Sequence, residues 1–340
     1  MPGLARPTFQ LPDGLVNWPW SRQLNVHYRV VKAESDAWIQ SFDALDDRAQ
    51  RAFDKCNFSL LACLAYPAAD KDRARAACDL MNLFFLFDEL SDVANEREVQ
   101  EQADAILDAL RHPFKHPDVN NRSTLGDAAR QFARRTIAIL SPSCYTRFVD
   151  AFIPHVEAMA QQAHDRSCGY SNRQTVEGYM SVRRGTIGAK PAFLFLEGDE
   201  DIPEWVLGHP LLEKLEACVM DMLIMSNDIY SYNVEQARGD DGHNIVSVVM
   251  VEQGFNLHEA MRWVESQYLD VVKQFLKAKE RLPSWGASVD AQVSAYIYGL
   301  ANWARAGDQW CFESERYFGR RGLEIQKSRQ VELLPRQDQS

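Results

Sequence analysis

Apolar residues recur at three- and four-residue steps along the chain, a spacing that admits little besides packed amphipathic helices. Trp38, Phe42, Leu45, Ala49, Ala52 and Cys56 form one such stripe, and Met261, Val264, Tyr268, Val271 and Phe275 form another. Breaker-rich stretches at 112–123, 141–143, 165–172, 199–210, 238–244 and 281–290 cut the pattern into helices joined by short loops. Asn256 followed by Glu259 reads as a capping box that opens the Met261 helix. No strand-rich block with hairpin turns, no repeat of solenoid period and no domain-separating linker interrupts this plan. The expectation is an all-α fold, one large helical bundle domain over 1–340. The ends, 1–22 and 326–340, read as irregular arms, the latter by its polar composition.

At 340 residues and 46% hydrophobic, the chain is long enough to bury a large core. Its formal charge of -11 argues against a nucleic-acid partner, since phosphate-backbone binding depends on clustered Lys and Arg. An acidic protein still holds an anion when metal ions sit between. The seven Cys are scattered without a CxxC pair, so neither a disulfide framework nor a zinc site is suggested. There is no apolar run of signal-peptide length at the start and nothing near a membrane span, so a cytoplasmic protein is expected.

Two segments carry chemistry. Leu80–Phe87 is apolar nearly all round, which marks a buried helix, and it then delivers Asp88, Glu89 and Asp92. Asp88 and Asp92 share a face, with Phe84 and Phe85 one turn earlier on or beside it. A carboxylate emerging from an apolar helix is costly unless paired or metal-bound. The alternative is a helix that simply surfaces at Asp88. Met222–Met225 then repeats the design: Asn227, Ser231 and Glu235 follow at i, i+4 and i+8. An amide oxygen, a hydroxyl and a carboxylate are hard donors without sulfur or imidazole, a set that suits Mg²⁺ and disfavours zinc. A polar helix end is the competing reading, and the pairing of two such stripes weighs against it.

Asp88-Glu89-x-x-Asp92 resembles the aspartate-rich motif of class I terpene synthases, and Asn227-Asp228-x-x-Ser231-x-x-x-Glu235 resembles their second metal motif. The resemblance implies an isoprenoid-synthase bundle in which the two motifs face each other and hold three Mg²⁺ against a prenyl diphosphate. It implies Asn227, Ser231, Glu235 and Asp88 as metal ligands, with Asp92 a further one. Arg183, 44 positions before Asn227, resembles the family's diphosphate-sensing arginine. Arg316-Tyr317 resembles the C-terminal pair of fungal sesquiterpene synthases that bonds the diphosphate, and is expected near the end of the last long helix. Phe84, Phe85 and Trp310 are candidates to present aromatic faces to a carbocation.

Gly185, Gly188 and Pro191 inside a helical context predict a kinked or broken helix. By the resemblance, the break at 186–188 points a carbonyl at the developing cation, and the loop 238–244 closes over the site. Arg184 reads as a surface residue. The likeness extends from Leu11-Pro12-Asp13 to Arg316-Tyr317 and is strongest to basidiomycete sesquiterpene synthases that make delta-6-protoilludene. Val234 and Leu90 depart from the residues of related enzymes. The implied reaction is ionisation of farnesyl diphosphate, cyclisation through a humulyl cation and release of diphosphate, by a monomer or homodimer. Water quench to a linear alcohol, nerolidol or from geranyl diphosphate linalool, is the alternative outcome. A chain-elongating prenyltransferase is disfavoured by Asn-Ser-Glu where it would carry a second aspartate-rich motif, and a non-catalytic helical binding protein by the complete second motif.

Overall fold

The structure, a computed structural model, describes residues 6–116, 123–168 (backbone alone for 165–168), 175–198 and 201–337. The described residues form α1 (Tyr28–Gln40), α2 (Asp47–Cys56), α3 (Phe58–Ala65), α4 (Lys71–Val93), α5 (Glu96–Arg111), α6 (Thr124–Ile137), α7 (Pro142–Cys168) and α8 (Val176–Thr186). These are followed by α9 (Ala189–Phe193), α10 (Glu204–Leu207), α11 (Pro210–Arg238), α12 (Ile245–Gln253), α13 (Leu257–Glu280), α14 (Ala287–Glu313) and α15 (Gly322–Ser328). A short ribbon pairs β1 (Thr8–Gln10) with β2 (Gln330–Glu332). The all-α expectation holds. Parts of the expected breaks at 112–123, 165–172 and 199–210 lie outside the described residues.

The buried apolar side chains join into one continuous cluster. α11 packs on α13 and α14, α3 lies between α4 and α14, α1 covers the outside of α4, and α5 packs on α6 and α7. α4, α7, α8, α11 and α14 thereby surround an internal cavity. The Asn256 capping box forms in full, with both reciprocal hydrogen bonds, and starts α13 where expected.

One expectation is overturned and two are refined. The stripe from Trp38 to Cys56 is not one helix. α1 ends at Gln40, Asp43 takes a left-handed φ of 48°, and the Asp46 carboxylate accepts the Arg48 and Ala49 N–H groups at 2.9 and 2.8 Å. That cap starts a new helix and outweighs the periodicity.

Among the described residues the terminal arms are irregular only in part. Phe9 stands opposite Val331 in the antiparallel ribbon and both are buried, each burial stabilising by about 1.5–3 kcal/mol. Trp18 is also buried and donates from its indole N–H to the Ala301 carbonyl at 3.1 Å. The chain after β2 then runs along α11, held by Leu334 N–H to Asn233 Oδ1 at 2.9 Å and Gln337 N–H to the Ala237 carbonyl at 2.7 Å.

Arg316 and Tyr317 lie just past the end of the last long helix, close to where they are expected. α14 stops at Glu313, where Ser314 turns extended, so the pair sits in the turn leading to α15.

Candidate active site

Fully buried Leu80, Leu83, Leu86 and Phe87 fix α4 in the core, so that Asp88 emerges where the helix reaches the cavity rim. Met222, Ile224 and Met225 do the same for α11, after which Asn227, Ser231 and Glu235 follow down one face. Asp88, Asp92, Asn227, Ser231, Glu235, Arg183, Arg316, Tyr317, Phe84, Phe85 and Trp310 all line one cavity of about 1090 Å³. Every residue expected to act on a diphosphate or a cation is therefore brought to one place. Arg184 is not: it pairs with Asp221 at 2.7 Å and does not line this cavity.

The helix expected to break does so. α8 stops at Thr186, Gly188 takes a φ of 66°, and α9 begins at Ala189. A Cβ at Gly188 would come within 3.2 Å of the His155 ring, so both the left-handed backbone and the close approach call for glycine. The break leaves Arg183 on the last turn of α8, facing α11. Its guanidinium donates to Asn227 Oδ1 at 3.0 Å, to Asp228 Oδ1 at 3.1 Å and to Thr186 Oγ1 at 3.0 Å. Burial works against the Arg183 charge, but Asp228, Tyr179 and Glu235 outweigh it and hold the group above the usual arginine value.

Asp228 also lines the cavity, but its carboxylate is spent on partners within the protein. It accepts from the Tyr179 hydroxyl and from the Ile245 N–H at 3.0 Å, and so ties α8 and the start of α12 to α11. Asn244, fully buried, donates to the Asp228 carbonyl at 2.8 Å and to Glu235 Oε2 at 2.9 Å while its Oδ1 caps α12. Burial, reinforced by Asp228, pushes the Glu235 carboxyl up to about 7, against the opposing effects of Asn244, Ser231 and Arg183. A hard-oxygen trio whose carboxylate is so poorly compensated fits a divalent cation.

On the opposite rim Arg316 stands 3.6 Å from Asp88 and 3.5 Å from Glu89, with its guanidinium 5.0 Å from the Phe85 ring centroid. Phe85 stacks on Phe58 at 3.8 Å, which stiffens that wall. The Tyr317 hydroxyl accepts from Asn227 Nδ2 at 2.8 Å and from Arg316 Nε at 3.3 Å, so its own proton remains for a ligand. Trp310 spends its indole N–H on the Cys56 carbonyl at 2.8 Å and sets its ring at the cavity beside Tyr317. Residues 238–243 line one side of the cavity, where Asp241 accepts from Ser247 at 2.9 Å and pairs with Arg336 at 3.2 Å.

Sequence reasoning did not single out Tyr179, Asn244, Arg336 or His155. A helical wheel already turns Asp228 off the Asn227 face, but the partners it meets are 17 to 49 positions away and left no local signal. A second gathering of possible ligands, Cys144, Glu197 and Asp201, lies outside the cavity. There Arg147 reaches Glu197 at 2.7 Å and already supplies the cation, which makes it a buried ion pair and no metal centre.

Comparison with known proteins gives a consistent answer. Residues 79–274 match the terpene synthase family 2, C-terminal metal-binding family. The chain is 49% identical over 326 residues to a Delta(6)-protoilludene synthase of Stereum hirsutum, covering 96% of this chain and 88% of that one. It is 47% identical over 326 residues to the Delta(6)-protoilludene synthase of Armillaria gallica, covering 96% and 94%. Among solved structures, an α-eudesmol synthase superposes with a TM-score of 0.79 at 18% identity, over 88% of this chain and 98% of that one. The linalool/nerolidol synthase of Streptomyces clavuligerus gives 0.75 at 18%, over 86% and 98%. These two likenesses concern the fold.

Proposed function

The chain belongs to the terpene synthase family, and from that premise we propose that it ionises farnesyl diphosphate and cyclises it to delta-6-protoilludene, releasing diphosphate. It is a lyase acting on prenyl diphosphates and uses a divalent metal. The observation that carries the reading is the joining of both oxygen-bearing stripes with Arg183 and Arg316-Tyr317 around one cavity whose lining also includes the apolar Leu61, Met81, Ile187, Leu223 and Trp303.

Asn227, Ser231 and Glu235 on α11 and Asp88 on α4, with Asp92 one turn on, are the residues to hold the metal, which we take to be three Mg²⁺. When bound, the ions neutralise the diphosphate and stabilise it as a leaving group. Arg183 and Arg316 add fixed positive charge, and the Tyr317 hydroxyl donates its free proton to a diphosphate oxygen. Arg316 sits between Asp88 and Glu89, which would hold its charge at the rim where the diphosphate binds.

Behind the diphosphate end, Phe84, Phe85 and Trp310 offer aromatic faces to the allylic cation, each worth about 0.5–2 kcal/mol. The protein folds the chain of the substrate and excludes water, and a humulyl cation followed by further ring closure is the path this reading entails. The chain works as one domain, as a monomer or homodimer, in the cytoplasm. In support, no helix among the described residues is long and apolar enough to cross a membrane.

The test is the pair Asn227→Ala and Glu235→Ala in one protein, assayed for diphosphate release with Mg²⁺. A loss of at least about a thousandfold is expected from removing two ligands. Turnover near wild type would show that these are not the ligands.

A further inference from the structure

His155 follows Pro154 inside α7, and its ring lines the cavity beside Gly188 and Ala189. Its Nδ1 stands 3.2 Å from the Gly185 carbonyl oxygen. A carbonyl only accepts, so Nδ1 carries the proton and Nε2 keeps a lone pair. Nε2 is buried and has no hydrogen-bond partner among the described residues. The edges and faces of Phe84 and Phe152 enclose the ring, with centroids at 4.8 and 5.7 Å. A buried polar atom left unpaired costs about 1–3 kcal/mol, and a phenylalanine would fill the same aromatic nest without that cost.

We infer that His155 Nε2 is the base that ends the reaction, taking the proton lost from the last carbocation. The inference rests on the cyclisation proposed above. A C–H bond next to the cationic carbon breaks, its electron pair becomes the second bond of the product alkene, and the proton bonds to Nε2 to give an imidazolium. The Gly185 carbonyl, already hydrogen-bonded to Nδ1–H, stabilises that charge.

Burial, only partly offset by the Gly185 bond, lowers the imidazole to about 4. It is therefore neutral and does not repel the cations formed before the last step, while a carbocation is acidic enough to protonate even so weak a base. The imidazolium then returns its proton to water. A second cavity of about 470 Å³ shares His155, Gly188 and Ala189 as part of its wall and gives that water room beside the ring.

Two variants test this. His155→Asn keeps an N–H donor near the position of Nδ1 and removes the lone pair at Nε2, whereas His155→Phe keeps the ring volume and removes both. Each purified protein is incubated with farnesyl diphosphate and Mg²⁺, and the products are resolved by gas chromatography with mass spectrometry. The expected result is that the main wild-type hydrocarbon falls at least tenfold as a share of products in both variants, replaced by alcohols or by alkenes deprotonated elsewhere. Either variant keeping the wild-type proportions would overturn the assignment. So would loss of diphosphate release in both, because ionisation precedes the step assigned to His155. Wild-type protein that yields no cyclic hydrocarbon would instead fail the functional reading itself.

Discussion

The Asn227 carboxamide donates to the Tyr317 hydroxyl at 2.8 Å while its oxygen accepts from Arg183 at 3.0 Å. One side chain of the second oxygen stripe is thus fixed by both cationic elements of the site, one on α8 and one beyond α14. The orientation this sets leaves a second lone pair of Asn227 Oδ1 for a metal ion. Tyr317→Phe deletes the acceptor and leaves the Asn227 N–H unpaired, at a cost of about 1–2 kcal/mol. The expected outcome is a fall in kcat/KM for farnesyl diphosphate of roughly 5- to 30-fold, measured by diphosphate release.

Glu235 sets stability against activity. Its folded carboxyl lies at about 7, above the unfolded value near 4.5, so the protonated form is favoured by folding. Its contribution to stability is present below about pH 4.5 and is lost as the pH rises through 7. Glu235→Gln imitates the protonated form permanently. In metal-free protein at pH 8 it should be more stable than wild type by about 1–3 kcal/mol in urea titrations, with the difference vanishing near pH 4.5. The same variant should lose nearly all Mg²⁺-dependent turnover.

Burial pushes the Asp228 carboxyl upward as well, but its partners are built in. Tyr179, Arg183 and the Ile245 N–H all donate to its carboxylate, so Asp228→Ala removes the ion-pair partner of a buried guanidinium and an acceptor from two further donors. Thermal or urea unfolding should show a loss of about 3–5 kcal/mol. Asp228→Asn, which still accepts, should lose clearly less.

His155 supplies a pH signature of its own. Burial holds its folded value at about 4, below the ordinary 6.5 of imidazole, so the unfolded chain binds the proton more readily between those limits. The stabilising share is present above pH 6.5 and is lost as the pH falls toward 4, an effect of at most about 3 kcal/mol. His155→Phe should therefore flatten the fall in unfolding free energy between pH 7 and pH 4.5. An unchanged slope would show that the imidazole is not held neutral.

Much of the site was legible in the sequence because its parts are local. Asn227, Ser231 and Glu235 recur at helical spacing, and an apolar turn ahead of them announces a buried helix, so residue types and period together point to one cavity-facing stripe. Gly188 and Pro191 marked the break in the same way. What was missed depends on contacts across the chain. Asp228 meets Tyr179 and Ile245, and Asn244 reaches back to Glu235, and none of these pairs leaves a periodic trace. The three-residue strands at either end are too short for alternation to register, though their pairing sets Phe9 opposite Val331 and both are buried. The merged stripe from Trp38 to Cys56 failed because periodicity cannot see a cap, whereas Asp46 stops the run by binding two backbone N–H groups.

The central claim is that this cavity ionises and cyclises farnesyl diphosphate with divalent metal. Its most direct test is one incubation of the purified chain with farnesyl diphosphate, with Mg²⁺ and with a chelator, followed by gas chromatography with mass spectrometry. The account predicts a cyclic sesquiterpene hydrocarbon, delta-6-protoilludene, and diphosphate with Mg²⁺, and neither with the chelator. Linear alcohol as the sole product, or no volatile product and no diphosphate, would contradict it.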